Sequence, residues 1–212
     1  MGKGKEMQDW AKYADKTKAM AATEPLKKAM ALLESDGGFA LNEPLRAVDL
    51  GSGAGRDTLF LLQNGWNVTA IDKSYDMVRS LQDATKGKYI NQLSIEHTSI
   101  EDCKLSSCHL INAHHSLPFC SRENIDNVMQ KMIAGLVTGG YCCGTFFGNH
   151  DEWSRKGNII TLTEAELRNY FSVGCSIEFF KDSKPFEGKT ISGDKKIWHI
   201  FSFVVKKVFA TE

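Results

Sequence analysis

The sequence predicts a doubly wound α/β fold: a mostly parallel seven-stranded sheet, an antiparallel C-terminal edge strand and helices on both faces. Three observations predict it. Short apolar runs alternate with helix-like stretches between residues 45 and 147, the pattern of strands joined by helical crossovers. Glycines at 51, 53 and 55 alternate directly after the first of those runs. Near the C-terminus two strand-like runs follow one another without a helix between them, which argues for an antiparallel edge.

In order, residues 6 to 34 read as helical. Trp10, Tyr13 and Thr17 recur at helix-like spacing, and a second helix starts at Pro25 and ends before Gly37 and Gly38. Leu45 to Leu50 is a buried strand that stops at Gly51, and Thr58 to Asn64 is a helix closed by Gly65. Trp66 to Asp72 is a strand, Ser74 to Thr85 a helix with Ser74 as its N-cap, and Leu93 to Thr98 a strand. Cys108 to Ala113 is a strand followed by a loop to Phe119. A helix from Glu123 to Leu136 ends at Thr138, Gly139 and Gly140, and Tyr141 to Phe147 is the fifth strand. Thr163 and Glu166 form a capping-box pattern at the start of a short helix. Cys175 to Phe180 and Trp198 to Val205 are the last two strands, joined by a polar, turn-rich linker from Lys181 to Lys196.

The 212 residues suit one domain with a full core. The 26 Lys plus Arg balance the 26 Asp plus Glu, so no net charge draws the chain to nucleic acid or an anionic membrane. No apolar run reaches the length of a membrane span, and residues 1 to 10 lack the apolar stretch of a signal peptide. The six cysteines form no C-x-x-C pair, which points to free thiols in a reducing cytoplasm. Cys103, Cys108 and His109 match no zinc template, so no metal is expected.

The stretch from Val48 to Thr58 is the most informative. Alternating glycines let the chain turn sharply and let a ligand lie against bare backbone, while the next helix offers free N–H groups. A dinucleotide fingerprint needs a third glycine at position 56, which is Arg56, and the Gly-Lys-Ser/Thr ending of a P-loop is absent. What remains, an acidic residue followed by Gly51, Gly53 and Gly55, resembles motif I of the class I S-adenosylmethionine-dependent methyltransferases. Asp72 closes the second strand, Ser99 to Asp102 follow the third, and Asn112 to Phe119 follow the fourth, an order of spacing similar to that family across most of the chain.

The resemblance implies S-adenosylmethionine as cofactor and S-adenosylhomocysteine as product. It implies a cofactor site made by Asp49, Gly51, Ser52, Gly53, Gly55, Arg56 and Asp57, with Asp49 facing the ammonium group. Asp72 would accept the ribose hydroxyls, flanked by Lys73 and Met77. Ile100 would pack on the adenine and Asp102 would accept from its amine, with Ser99 standing where the family often has an acid and Glu101 beside it. Ala113, His114 and Ser116 would lie beside the methyl group.

The segments Gly51 to Leu61, Ser116 to Cys120, Gly148 to Trp153 and Lys196 to Phe201 together look like the tellurite-resistance (TehB-like) group of small-molecule methyltransferases. The implied reaction is an in-line displacement at the methyl carbon, governed by alignment. The acceptor is a small molecule, possible classes including a thiol, tellurite or selenite. A soft anion needs no base; a hydroxyl or amine would use His114 or His115. Trp10, Tyr13, Phe147, Asp151 and Trp153 are candidate walls of the acceptor pocket, under a helical cap formed by residues 1 to 40. His199 reads as a structural histidine. A monomer or homodimer is expected. Two other readings stand beside this one: a cofactor-binding regulator without transfer activity, and a nicotinamide oxidoreductase, against which Arg56 argues.

Overall fold

The computed structural model describes residues 20–37, 44–190 and 192–208. Trp10, Tyr13 and residues 38–40 of the expected cap lie outside them. Helix α1 (Glu24–Asp36) opens on Pro25, whose fixed φ suits a first helical turn, and closes on Gly37 in the left-handed conformation. Strand β1 (Arg46–Leu50) runs through the glycine loop into α2 (Arg56–Gln63), and β2 (Asn67–Asp72) leads to α3 (Tyr75–Thr85). Strands β3 (Leu93–His97) and β4 (Cys108–Ala113) follow, then α4 (Ile125–Gly135), β5 (Leu136–Phe147) and α5 (Glu164–Asn169). The chain ends in β6 (Cys175–Asp182), β7 (Phe186–Lys189), β8 (Lys195–Trp198) and β9 (Ile200–Lys207).

Seven strands form one sheet in the order β3-β2-β1-β4-β5-β9-β6. The first five are mutually parallel, and β9 runs against both β5 and β6. The chain leaves β1 to one side for β2 and returns to its other side for β4, so the carboxyl ends of β1 and β4 flank the topological switch point, where open α/β sheets bind ligands.

Side chains alternate between two cores with the period of a strand. Ala47, Leu110, Tyr141, Cys143 and Val204 pack with α1 and α2 through Leu26, Met30, Leu33 and Leu61. Val48, Ile111, Cys142, Phe146, Phe203 and Val205 pack with α4 and α5 through Met129, Met132 and Leu167. Each fully buried leucine is worth roughly 1.5–3 kcal/mol. A helix of 13 residues is marginal alone, so this burial, more than propensity, holds α1. The described part of the expected N-terminal cap is therefore a layer on the sheet face, not a cover over the strand ends. Only its first end reaches the switch point, where the Thr23 backbone N–H donates to Asp57 Oδ1 at 2.9 Å.

Two local features differ from expectation. Helix α4 passes into β5 at Leu136 without a loop, and the expected stop at Thr138 to Gly140 is an irregularity inside β5. The register with β4 shifts there, between Cys108 and Leu110, and Gly139 takes a positive φ of 83°. The polar linker after β6 contains a separate hairpin, β7 paired with β8, standing outside the main sheet. The capping box of Thr163 and Glu166 is formed as expected, with both reciprocal hydrogen bonds present. All six cysteines are free, five of them buried. Among the described residues, no helix is long and apolar enough to cross a membrane.

Candidate functional site

The loop after β1 and the loop after β4 touch at the switch point. Gly51 has a φ of 74°, and a Cβ there would stand 2.4 Å from the Ser116 Cβ. Only glycine satisfies both demands. The backbone N–H groups of Gly51 and Ser52 donate to the Ile71 carbonyl, at 2.8 and 3.0 Å, and anchor the loop to β2. Gly53 N–H donates to Asp72 Oδ2 at 2.8 Å, and Ser74 N–H to Oδ1 at 2.8 Å. Asp72 is thus held at the loop by one oxygen and at the start of α3 by the other, with acceptor lone pairs to spare. Gly55 is the left-handed N-cap of α2 and brings no side chain to cap it. Met77 is 1% exposed and packs with Ala54. It supports the glycine loop from within the core.

Beneath the loop sits a buried polar cluster. Asp49 pairs with Asn112 across β1 and β4 and projects to the α2 side of the sheet. Its Oδ1 accepts from Asn112 Nδ2 at 2.8 Å and its Oδ2 from Thr58 Oγ1 at 2.6 Å. The same Asn112 amide reaches Asp57 Oδ2 at 3.2 Å. Burial and the neighbouring Asp57 charge push the Asp49 carboxyl up to about 7. Two buried carboxylates with neutral donors between them leave a local need for positive charge. Arg56 meets part of it, with Nε 3.4 Å from Asp57 Oδ1. Asp49, Ser52, Gly53, Arg56, Asp57 and His114 line one narrow cleft.

The loop from Ser99 to Cys103 is held from outside. The Lys131 ammonium on α4 donates to the carbonyls of Ile100, Glu101 and Cys103 at 2.7, 3.0 and 2.9 Å. Glu101 accepts from the Ser121 N–H, which ties this loop to the one after β4. Ser99 Oγ donates to Asp102 Oδ2 at 2.6 Å, so Ser99 orients the carboxylate. The exposed Lys73 contributes its carbonyl, which meets His97 Nε2 at 3.1 Å.

After β4, Ala113 is fully buried and His114 and His115 are half-buried, their rings 4.1 Å apart. His115 takes a φ of 52°, and its N–H donates to Thr145 Oγ1 at 2.9 Å. Burial holds the His114 imidazole well below its ordinary value, helped by His115 and Arg56. Burial also lowers His115 to about 4, with Arg56 and Lys196 adding to the effect. Both rings are therefore neutral at pH 7.

Beyond His115 stands an aromatic wall. Phe147 is 5.9 Å from the His115 ring and Trp198 is 6.4 Å from it. Trp153 lies 5.5 Å from Phe147 and 5.4 Å from Trp198. Phe119 packs edge-on against Phe147 and Trp153. Asp151, expected to line the acceptor pocket, is fully buried behind this wall. Its Oδ1 accepts from Lys196 Nζ at 2.5 Å and from Trp153 N–H at 2.9 Å, and its Oδ2 from His199 N–H at 3.0 Å. His199 is structural: Nδ1 accepts from the His150 N–H, which leaves Nε2 as the donor to Asp182.

The structure brings Asp49, Gly51, Ser52, Gly53, Arg56, Asp57 and His114 together at one cleft, with Asp72 bonded to its loop, while Asp151 supports the aromatic wall; Trp10 and Tyr13 lie outside the described residues. It adds Asn112, Lys131, Thr145, Lys196 and Trp198. Asn112 carried a cue, since it stands just before the loop after β4. Lys131 carried none, because its partners are far away in sequence, and Lys196 and Trp198 were cued only as part of the segment from Lys196 to Phe201.

Among the described residues, three buried polar atoms lack a hydrogen-bond partner: His114 Nδ1, Ser116 Oγ and Arg56 Nε, the last only ion-paired with Asp57. Buried polar atoms of this kind are few in native proteins and call for an explanation. All three belong to residues of the glycine loop and the loop facing it, and a polar ligand in the crevice would supply their partners. Donors, acceptors and carboxylates here fit a ligand that joins an amino acid to a nucleoside.

The family model for the tellurite resistance protein TehB matches residues 33–194. No curated protein matches the chain. Among solved structures it is similar to TehB from Haemophilus influenzae, with a TM-score of 0.68 and 17% identity over 93% of this chain and 67% of that one. It is also similar to a SAM-dependent methyltransferase from Methanosarcina mazei, with a TM-score of 0.64 and 17% identity over 90% of this chain and 100% of that one. A third similar structure is the magnesium protoporphyrin IX methyltransferase from Synechocystis with bound SAM. Its TM-score is 0.60, at 16% identity over 96% of this chain and 86% of that one. At these identities the structures speak for the shared fold, and the family match speaks for the group. The chain belongs to the tellurite resistance protein TehB family, on the class I fold of S-adenosylmethionine-dependent methyltransferases.

Proposed function

We propose that this enzyme methylates a small, soft nucleophile of the thiol, selenite or tellurite type at the crevice between Gly51 and His115. When bound, S-adenosylmethionine supplies a methyl group activated by its sulfonium. In this reading Asp72 accepts the ribose hydroxyls, and Asp49 with Asp57 answers the ammonium charge of the amino-acid end. Ile100 packs on the adenine, with Ser99, Glu101 and Asp102 around it and Lys73 beside the ribose. Ser52, Gly53, Gly55 and Arg56 line the amino-acid end, and Ser116 and His114 offer polar atoms near the reacting carbon.

The single observation that carries the acceptor class is the pairing of an aromatic wall with a weakly basic His115. A ring lowered to about 4 is a poor proton acceptor at pH 7. An acceptor that arrives ionised needs none. Polarisable rings at Phe147, Trp153 and Trp198 exclude water and suit a soft atom. His114 and His115 then act at the site as neutral hydrogen-bonding groups that orient the acceptor, and catalysis is chiefly alignment. The enzyme works in the cytoplasm, as a monomer or homodimer and without a nucleic-acid or membrane partner.

The test is formation of S-adenosylhomocysteine with thiols, selenite, tellurite, phenols and amines as acceptors. Turnover with the first three and little with phenols and amines is expected. Binding of S-adenosylmethionine without turnover on any of them would favour the regulator instead.

A further inference from the structure

We propose that Lys196 is a positioning residue for the acceptor site: its ammonium is the hub that holds Trp153 and Trp198 in the wall beside His115. The inference rests on the reading of that wall as part of the acceptor pocket.

Lys196 lies on β8, in the hairpin that stands outside the main sheet, yet its side chain is only 3% exposed. An ammonium has three N–H groups to satisfy. One reaches Asp151 Oδ1 at 2.5 Å. The charge also lies 3.7 Å from the Trp153 ring centre and 3.8 Å from that of Trp198, with Phe147 at 5.1 Å. A cation at such distances is attracted by the face of each ring, most strongly when desolvated. The ammonium's surroundings are one carboxylate and two indole faces, so Lys196 does not need the acceptor as a partner. It acts through the rings.

The connections around it explain why the hub matters. Trp198 comes from the hairpin and Trp153 from the turn after β5, and two of the hydrogen bonds between these segments flank Lys196 and Trp198. The Ile197 N–H donates to Glu152 at 2.9 Å and the His199 N–H to Asp151 at 3.0 Å. Gly148 lets the two segments close: a Cβ there would fall 2.1 Å from the His199 ring. Backbone bonds thus bring the segments together, and the ammonium fixes how the two indoles meet. Removing it frees the Trp198 ring to rotate in the wall.

The test compares wild type with Lys196→Met and with the charge-neutral pair Lys196→Met plus Asp151→Asn. The single change leaves the Asp151 charge buried without its partner and lowers stability, while the pair restores much of it. Both variants should raise the KM for a thiol acceptor about tenfold with kcat within about twofold and unchanged affinity for S-adenosylmethionine. In protein labelled with 5-fluorotryptophan, the fluorine resonances of Trp153 and Trp198, assigned by Trp→Phe changes, should move while that of Trp66 stays. A purely structural role would return KM to its wild-type value along with stability in the paired variant. That result, unmoved fluorine resonances, or a parallel loss of cofactor affinity would overturn the proposal. Wild-type turnover is measured first. If no acceptor is methylated, the acceptor reading fails, and the resonances alone decide whether Lys196 orders the wall.

Discussion

Asp49 and Asp57 share one donor: the Asn112 side-chain amide lies 2.8 Å from Asp49 Oδ1 and 3.2 Å from Asp57 Oδ2. A single neutral amide between two buried carboxylates leaves Asp49 inclined to keep its proton. Its folded value near 7 lies above the ordinary 3.8. Between those limits the folded chain holds a proton that the unfolded chain has lost, so ionising Asp49 removes stability as pH rises from about 4 to about 7. Asp49→Asn should flatten this part of the thermal midpoint-against-pH curve. It should also weaken S-adenosylmethionine binding about tenfold at pH 8, the size of one charge-assisted contact. Calorimetry in buffers of different ionisation enthalpy should show proton release on cofactor binding near pH 7. A variant with unchanged affinity and an unchanged pH slope would contradict this.

The contact between Gly51 and Ser116 makes a second prediction. Gly51→Ala strains a φ of 74° and drives a methyl into the Ser116 Cβ at 2.4 Å. The expected cost is about 1–3 kcal/mol of stability, together with weaker cofactor binding. Adding Ser116→Gly removes the overlap but not the backbone strain, so it should restore part of the loss. Full restoration would assign the whole effect to the overlap, and no restoration would assign it to φ.

Lys131 offers a third. Its ammonium is bonded to three carbonyls of the loop from Ile100 to Cys103. Lys131→Met should speed hydrogen exchange in residues 99–104 and, with the adenine placed as proposed, lower affinity for both S-adenosylmethionine and adenosine by a similar factor of about three to ten. Loss confined to S-adenosylmethionine would place the effect elsewhere.

The half-buried His115 supplies a fourth. Its imidazole, lowered to about 4, stays neutral through the physiological range. At saturating cofactor, kcat for a thiol acceptor should therefore show no histidine limb between about pH 6 and 7. His115→Gln should cost less than about tenfold in kcat, below the 10²–10⁴ typical of a general base. A clear limb near pH 6.5 that vanishes in the variant would restore a base role to His115.

Much of the parallel half of the sheet is legible in the sequence because its signals are local. A strand such as Cys108–Ala113 is an apolar run with clear ends, and Thr163 and Glu166 announce a helix start within four residues. The hairpin of β7 and β8 is not legible, because its four-residue strands are largely exposed and lack an apolar pattern. Thr138 to Gly140 reads as a stop since glycine pairs end helices, whereas here they bend a strand held on both sides by β4 and β9. The site divides in the same way. Gly51, Gly53 and Asp72 follow from loop chemistry at fixed positions. Asp151 is misread as a pocket residue because its partner, Lys196, lies 45 residues away.

Every role proposed for the crevice depends on S-adenosylmethionine binding at the glycine loop beside Asp72, and titration calorimetry tests that most directly. Wild-type protein should bind S-adenosylmethionine and S-adenosylhomocysteine at one site per chain. Asp72→Ala, which loses the proposed acceptor for the ribose and the tether of Gly53, should bind either at least about thirtyfold more weakly while remaining folded. No heat from either ligand with wild-type protein, or undiminished binding in the Asp72 variant, would contradict it.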